Sequence, residues 1–192
     1  MKRGNIMRVP YRRKREGRTH YKKRLKIVSS HKVRLVVRRS LRSINASFIE
    51  YSPKGDKVIL TVNSRSLEKM GWKADSGNLP SAYLTGMLAG KKAMEKGIKN
   101  AILDLGLSNS TKGSRIYATL AGVIDAGLLI PVNEEVLPSK DRITGEHISK
   151  YAASLKDDEQ KYQKQFSGYI KKGIKPEDMV KNFNDVKGKI NG

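Results

Sequence analysis

The chain contains no cysteine, which excludes disulfides, thiolate nucleophiles and cysteine-ligated zinc. Its three histidines, His20, His31 and His147, are far apart and lack metal-ligand spacing. No apolar run approaches the roughly 18–20 residues of a membrane span, and the N-terminal residues carry no apolar h-region of a secretory signal. Pro10 and the scarcity of Ser argue against a transit peptide. The expectation is a soluble protein of the cytoplasm, with no membrane partner. Neither a Walker-type phosphate loop nor a GxSxG elbow occurs. A metal-dependent nuclease needs several carboxylates converging on a divalent ion. The acids in suitable elements, Glu50, Asp104 and Asp125, are scattered through the pattern and read better as surface pairs or partners of arginine. No enzyme activity, cofactor, metal or small-molecule substrate is expected.

Acidic residues are almost missing from the first part of the chain. Residues 1–42 hold 17 Lys or Arg against the single acid Glu16, whereas residues 43–133 hold 11 against 7 and residues 134–192 hold 12 against 10. The net charge of +22 exceeds what solubility needs and calls for an anionic partner. Its densest part is the arm MKRGNIMRVPYRRKREGRTHYKKRLK, with 12 cationic groups in 26 residues. Such a segment repels itself and buries too little apolar surface to offset its ordering entropy, so alone in water it is expected to be disordered. A polyanion removes the repulsion and releases its own counterions. Tyr11, His20 and Tyr21 are interleaved with Arg3, Arg8, Arg12, Arg13, Lys14, Arg15, Arg18, Lys22, Lys23, Arg24 and Lys26. Cations for phosphates and rings for splayed bases suit single-stranded or irregular RNA. The competing reading is a solvated tail or a nuclear-localisation signal.

From Val33 the pattern changes. Val33–Arg39, Ile44–Tyr51 and Lys57–Asn63 read as three consecutive antiparallel strands, the last two joined by the Pro-Gly turn SPKGD. Val33, Leu35 and Val37 share one face, and Arg34 and Arg38 point the other way, so with Lys32 the arm's charge continues onto the sheet. Ser64–Met70 is a short helical stretch ending at Gly71. Pro80–Lys96 is a strong helix ended by Gly97. Its small residues Ala82, Gly86, Ala89, Gly90 and Ala93 permit close approach, to a sheet in preference to an RNA backbone. Ala101–Leu107 reads as a strand buried on both faces, and a second helix runs from the N-cap Ser114 to Ala126.

The resulting fold class is α/β. A β-β-β-α-β-α domain with a mixed sheet (28–133) follows the disordered basic arm (1–27), and a helical C-terminal extension (134–192) follows the domain. In that extension Thr144–Leu155, Asp157–Lys172 and Pro176–Lys187 offer narrow apolar stripes, among them Phe166 with Ile170 and Met179 with Phe183. These stripes are expected to cover a partner or the domain itself.

Two further features invite a ligand. The loop Thr111–Arg115 joins a helix start to Lys112, Ser114 and Arg115, which suits a phosphate as well as it suits an ordinary capped helix. Trp72, the only tryptophan, could stack on a base, but reads better as an anchor at the core's edge.

The stretches RRKREGRTHYKKRLKIVSSHKVRLVVRRS (12–40), KMGWKADSGNLPSAYLTGMLAGKKA (69–93), AILDLGLSNSTKGSRIYATLAGVIDAGLLIP (101–131) and DRITGEHISKY (141–151) resemble the large-subunit ribosomal protein eighteen family in its archaeal and eukaryotic form. YQKQFSGYIKKGIKPEDM (162–179) is similar to the extension of that branch. The resemblance implies a structural constituent of the large ribosomal subunit that binds 5S rRNA and helps attach it to large-subunit rRNA in the central protuberance. The implied partners are 5S rRNA, large-subunit rRNA and neighbouring ribosomal proteins. Carried over, Arg12, Arg13, Lys14, Arg15, Arg18, Tyr21, Lys22, Lys23 and Arg24 become RNA contacts, and Lys112, Ser114 and Arg115 gain support. His20 departs from the family pattern, which has an acid there.

Removing residues 1–26 is expected to leave cooperative thermal unfolding intact. The same deletion should reduce the slope of log K against log salt for RNA by several units, at about 0.7–0.9 per phosphate contact. Melting curves and salt titrations of both proteins check this.

Overall fold

The computed structural model describes residues 9–192. Three antiparallel strands form as the alternation requires: β1 (Arg34–Arg39), β2 (Ile44–Glu50) and β3 (Lys57–Asn63). Leu35, Val37, Ile44, Ala46, Phe48 and Val62 point to one face and are buried. The opposite face is polar on β2 and β3, where Ser47 bonds Thr61 at 3.0 Å and Asn63 Nδ2 donates to Asn45 Oδ1 at 2.7 Å.

The fourth strand, β4 (Ile102–Asp104), pairs in parallel with β1, giving the order β3-β2-β1-β4. It is shorter than the apolar run implied, and it lies at the sheet's edge instead of being buried on both faces. The run ends because the Gly106 N–H donates to Asp104 Oδ1 at 2.8 Å and Gly106 turns left-handed at φ +60°. Leu107 is consequently half exposed.

Two helices cover the apolar face of the sheet. The short arm helices α1 (Arg12–Arg15) and α2 (Tyr21–Val28) precede them in the chain. α3 (Leu79–Glu95) lies over β2 and β3, and α4 (Arg115–Asp125) packs against β1. Asn78 caps α3 by accepting from the Ser81 amide at 2.8 Å, with Pro80 in the first turn. The small-residue stripe serves the contact between these helices. A Cβ on Gly86 would collide with the Thr119 carbonyl, one on Gly122 with the Tyr83 carbonyl, and one on Gly90 would lie 2.6 Å from the Ala126 Cβ. The close partner of Gly86 and Gly90 is thus α4, neither the sheet nor RNA. Trp72 belongs to the core: it is 1% exposed and its Nε1 donates to the Asp75 carbonyl.

The C-terminal segments are α5 (Lys140–Thr144), α6 (Glu146–Ser154), α7 (Glu159–Ile170) and α8 (Met179–Asn191). α8 returns to the domain. Met179, Phe183, Val186 and Ile190 join the main core, and α8 lies against α3 and the Ser64–Met70 turn. Phe183 meets the Tyr83 ring at 5.6 Å, and Lys187 Nζ lies 5.5 Å from the centroid of that ring. The Met179–Phe183 stripe therefore covers the chain's own α3. Phe166 instead gathers Tyr151, Tyr162 and Tyr169 at 5.3–6.0 Å into a separate aromatic cluster. No described helix is long and apolar enough to cross a membrane.

Two measurements test this packing. Gly122→Ala should destabilise by at least about 1–3 kcal/mol, the range for overpacking, since its neighbour is backbone that cannot rotate away. Truncation after Leu155 should lower the melting temperature, because it removes Phe183 and bares α3; removal of a buried Phe side chain alone costs about 3–5 kcal/mol. Urea and thermal melts read both.

Candidate nucleic-acid interface

The part of the arm that the structure describes forms α1 and α2, and α2 is tied to the domain by Arg24. Three local contacts offset the self-repulsion that argues for disorder in isolation. Glu16, the arm's single acid, reaches Arg12 at 3.6 Å and Arg18 at 3.3 Å. Tyr11 and Tyr21 meet at 5.2 Å between centroids. His20 Nδ1 accepts from the Lys23 amide at 3.1 Å and caps α2. An acid at this position could cap the same amide, so the departure at His20 preserves the helix start.

Long-range charge then fixes α2 in place. Arg24 Nη2 donates to Asp56 Oδ2 at 2.9 Å, and Arg34 Nη2 reaches the same oxygen at 2.6 Å. Arg34 Nη1 reaches Asp104 Oδ2 at 3.2 Å, and Arg38 Nη2 reaches Asp104 Oδ1 at 3.6 Å. Three arginines and two carboxylates alternate from the arm, through the β2–β3 turn and β1, to β4. The side chain of Arg34 is 3% exposed. A charge so far from water persists only with opposite charge beside it. Asp56 feels two opposed effects. Burial pushes its carboxyl upward, but the hydrogen bonds and charges of Arg34 and then Arg24 outweigh this and hold it below the usual aspartate range.

This chain of charges corrects one expected contact. Arg34 does point away from the core, but it is buried between two acids and does not present itself to a ligand. The loop at 111–115 is also less of a phosphate cradle than its pattern implied. Arg115 Nη1 donates to the Gly77 carbonyl at 2.7 Å and the Ser40 carbonyl at 3.2 Å, bracing the β1–β2 hairpin against the α3 approach. The Gly113 amide is used by the Val136 carbonyl and the Ser114 amide by the Thr111 carbonyl. The Ser114 hydroxyl is buried without a partner. Lys112 is solvent-exposed, with a loose 3.6 Å contact to Glu135.

Other sequence-selected residues converge. Arg13, Arg18, His20, Lys23, Arg24, Lys26 and Arg38 line one cleft of about 460 Å³ between the arm and the edge of the sheet. Arg13 Nε is steadied by Thr19 Oγ1 at 3.0 Å. Arg38 donates to the Val37 and Asp104 carbonyls, both at 2.9 Å, and its guanidinium lies where a Cβ on Gly106 would be 2.7 Å away. A side chain at 106 would have to displace the guanidinium and adopt the left-handed φ of +60°. Arg12, Lys14, Arg15, Lys22 and Lys32 are exposed outside the cleft. Arg3 and Arg8 lie outside the described residues.

The far wall of the cleft is formed by Leu103 and Leu105, which also pack against the core, and by Gly106 and the half-exposed Leu107, which sequence reasoning missed as a surface. An apolar run reads as core, and nothing local marks its last part as a surface. Two of the three acids considered for catalysis are engaged elsewhere, Asp104 by Arg34 and Arg38 and Asp125 by the Tyr83 hydroxyl at 2.5 Å, while Glu50 stands exposed at the end of β2. Among the described residues no three His, Asp or Glu side chains gather as a metal site.

The arginine–aspartate chain predicts a pH dependence with a definite sign. The Asp56 carboxyl is depressed in the folded state, so its contribution is complete above the unfolded value of about 3.9. It is lost as pH falls through the lower folded value. Asp56→Asn should lower stability at pH 7 by about 2 kcal/mol, less than the 3–5 kcal/mol of a fully broken buried pair, because Arg34 keeps Asp104. The gap from wild type should narrow below about pH 4. Denaturant melts of both proteins across that range check the sign.

The family model for ribosomal large subunit proteins 60S L5 and 50S L18 matches residues 5–100.

Proposed function

The chain belongs to the family of the large-subunit ribosomal proteins 60S L5 and 50S L18, and from that membership we propose that it binds 5S rRNA and helps attach this RNA to large-subunit rRNA in the central protuberance. The coarser role follows from the family itself: a structural, rRNA-binding ribonucleoprotein component serving translation. For the finer one, the supporting observation is the convergence of Arg13, Arg18, Lys23, Arg24, Lys26 and Arg38 on one cleft. Binding a structural RNA requires phosphate contacts held in register, which position the protein, together with a smaller number of contacts that read shape.

In this structure the cations fall into two groups, one held in place and one free in solvent. Arg24 and Arg38 are held at opposite ends of the chain through Asp56, Arg34 and Asp104, so neither reorganises freely when a phosphate arrives. Arg12, Lys14, Arg15, Lys22 and Lys32 stand in solvent, where they add long-range attraction without fixed geometry. The first group supplies register and the second supplies salt-dependent affinity. Neighbouring ribosomal proteins are the expected partners of surfaces away from the arm, and the ribosome in the cytoplasm is the place of action.

Competition tests the reading. Labelled 5S rRNA bound to the full chain should be displaced at least about tenfold less effectively by tRNA or heparin than by unlabelled 5S rRNA. Equal displacement would reduce the protein to a general polycation. Combined Arg18→Ala, Lys23→Ala and Arg38→Ala substitutions should lower the salt slope by about 2 units, since each phosphate left without its cation removes about 0.7–0.9. Cooperative unfolding should be retained.

A further inference from the structure

Away from the arm, the outer side of α8 carries charges that the fold leaves without partners. α8 buries Met179, Phe183, Val186 and Ile190 in the core. At four-residue spacing, Lys181, Asp185 and Lys189 share its other, exposed side. A loop borders that side: Gly71 turns left-handed at φ +95° after the Ser64–Met70 turn, and Lys189 Nζ donates to the Met70 carbonyl at 3.1 Å. Between the loop and α8 runs a groove of about 490 Å³, lined by Lys73, Lys175, Lys181 and Lys189 together with Asp178 and Asp185.

Four cations and two acids thus face one groove, yet among the described residues none of the six takes part in an ion pair. Elsewhere in the extension short helical spacings do pair: Lys150 meets Glu146 at 2.8 Å and Lys161 meets Asp158 at 2.7 Å. On α8 the charges line the groove instead. Main chain of another molecule can also come close. Gly173, in the lining, has φ +66°, and a Cβ there would meet nothing within 4 Å.

The charge pattern selects the occupant. A phosphate backbone offers one sign only, and two uncompensated carboxylates in the groove would repel it. Residues 134–192 hold 12 basic against 10 acidic side chains, where residues 1–42 hold 17 against one. A protein segment can present both signs. We propose that this groove docks a segment of a second protein of the large subunit, with carboxylates on Lys175 and Lys181 and a Lys or Arg on Asp185. The inference rests on the family reading that the chain works inside the large subunit, and it names the surface that a neighbour uses. Groove and arm lie on opposite sides of the sheet. α8 packs on α3, which covers the apolar face, whereas Arg34 and the Arg24 of the arm belong to the other face. Both sides can therefore be occupied at once. Exposed pairs of this kind supply register and discrimination more than affinity.

The test uses the full chain incorporated into large subunits, with its occupancy measured by quantitative mass spectrometry of gradient-purified particles. Lys175→Glu with Lys181→Glu should lower occupancy about threefold, and Asp185→Lys alone should lower it in the same direction. A phosphate neighbour demands the opposite sign for Asp185→Lys. Raised occupancy there, or unchanged occupancy in either variant, overturns the proposal. The three side chains are exposed, so thermal melts of the free variants should match wild type. Carbodiimide cross-linking of wild-type subunits needs no variant. It should join at least one of the four groove lysines to an Asp or Glu of a second protein. Links confined to Asp178 and Asp185 of the same chain, or no links, overturn the docking. Affinity of the free variants for 5S rRNA should stay within about threefold of wild type. Groove links without a preference for 5S rRNA leave the docking standing and the 5S assignment wrong. A 5S preference without groove links does the reverse.

Discussion

Arg34 is the constraint on which the cationic side of the sheet depends. A guanidinium that is almost completely removed from water requires compensating charge, and Asp56 and Asp104 supply it from opposite sides. Each of those acids also holds a second arginine nearer the surface, Arg24 on the arm and Arg38 on β1. A requirement of the protein's interior is thereby transmitted to groups that can meet RNA. The arm is strongly self-repelling as a sequence, yet α2 has a defined seat because one of its cations completes this alternating chain. Without the buried arginine, the two acids would lose much of the charge that compensates them.

The opposite side of the sheet is organised by sterics. Gly86, Gly90 and Gly122 allow the backbones of α3 and α4 to approach until no Cβ fits between them. This packing fixes where α4 begins, and hence where Arg115 can brace Ser40 and Gly77. α8 then closes the remaining side of α3 with Phe183 and Val186. Tyr83 stands at the junction, with its ring against Phe183 and its hydroxyl on Asp125. Burial, then the bond to Asp125, raises its phenol well above the ordinary tyrosine range, so it is a structural donor at any physiological pH. The charge-bearing half and the tightly packed half share only the sheet. This lets cations gather on one side of the sheet without intruding on the core.

Much of this was legible from local pattern. The three antiparallel strands follow from alternation around a Pro-Gly turn, the start of α3 from Pro80, and the functional class from 12 cations in 26 residues beside a recognisable family pattern. These features depend on neighbours within a few residues, where periodicity, turn chemistry and charge density act directly. The convergence of Arg13, Arg18, Lys23 and Arg38 on one cleft was foreshadowed only as a basic arm continuing onto a sheet.

What tertiary structure decided are the partners that lie far along the chain. Arg34 and Arg38 alternate identically with the apolar residues of β1, and sequence cannot separate them. One is buried because an acid 22 residues later and another 70 residues later arrive beside it, while the other remains half exposed on the cleft. The pattern around Ser114 and Arg115 suits a phosphate and an ordinary helix start equally, and only the hairpin tip and the Gly77 loop show where the guanidinium goes. The stripe of Met179 and Phe183 showed that a surface must be covered, but not that the surface is α3 of the same chain. Leu107, inside a run that reads as core, becomes a wall of the cleft because Asp104 and Gly106 end the strand early. Sequence by itself determined which segments are strands, helices and cationic surface, because those properties are set by local backbone preference and charge. Which cation stays open to solvent and which is enclosed by acids was decided only when the sheet brought distant carboxylates into contact, since Coulomb pairing depends on distance in space.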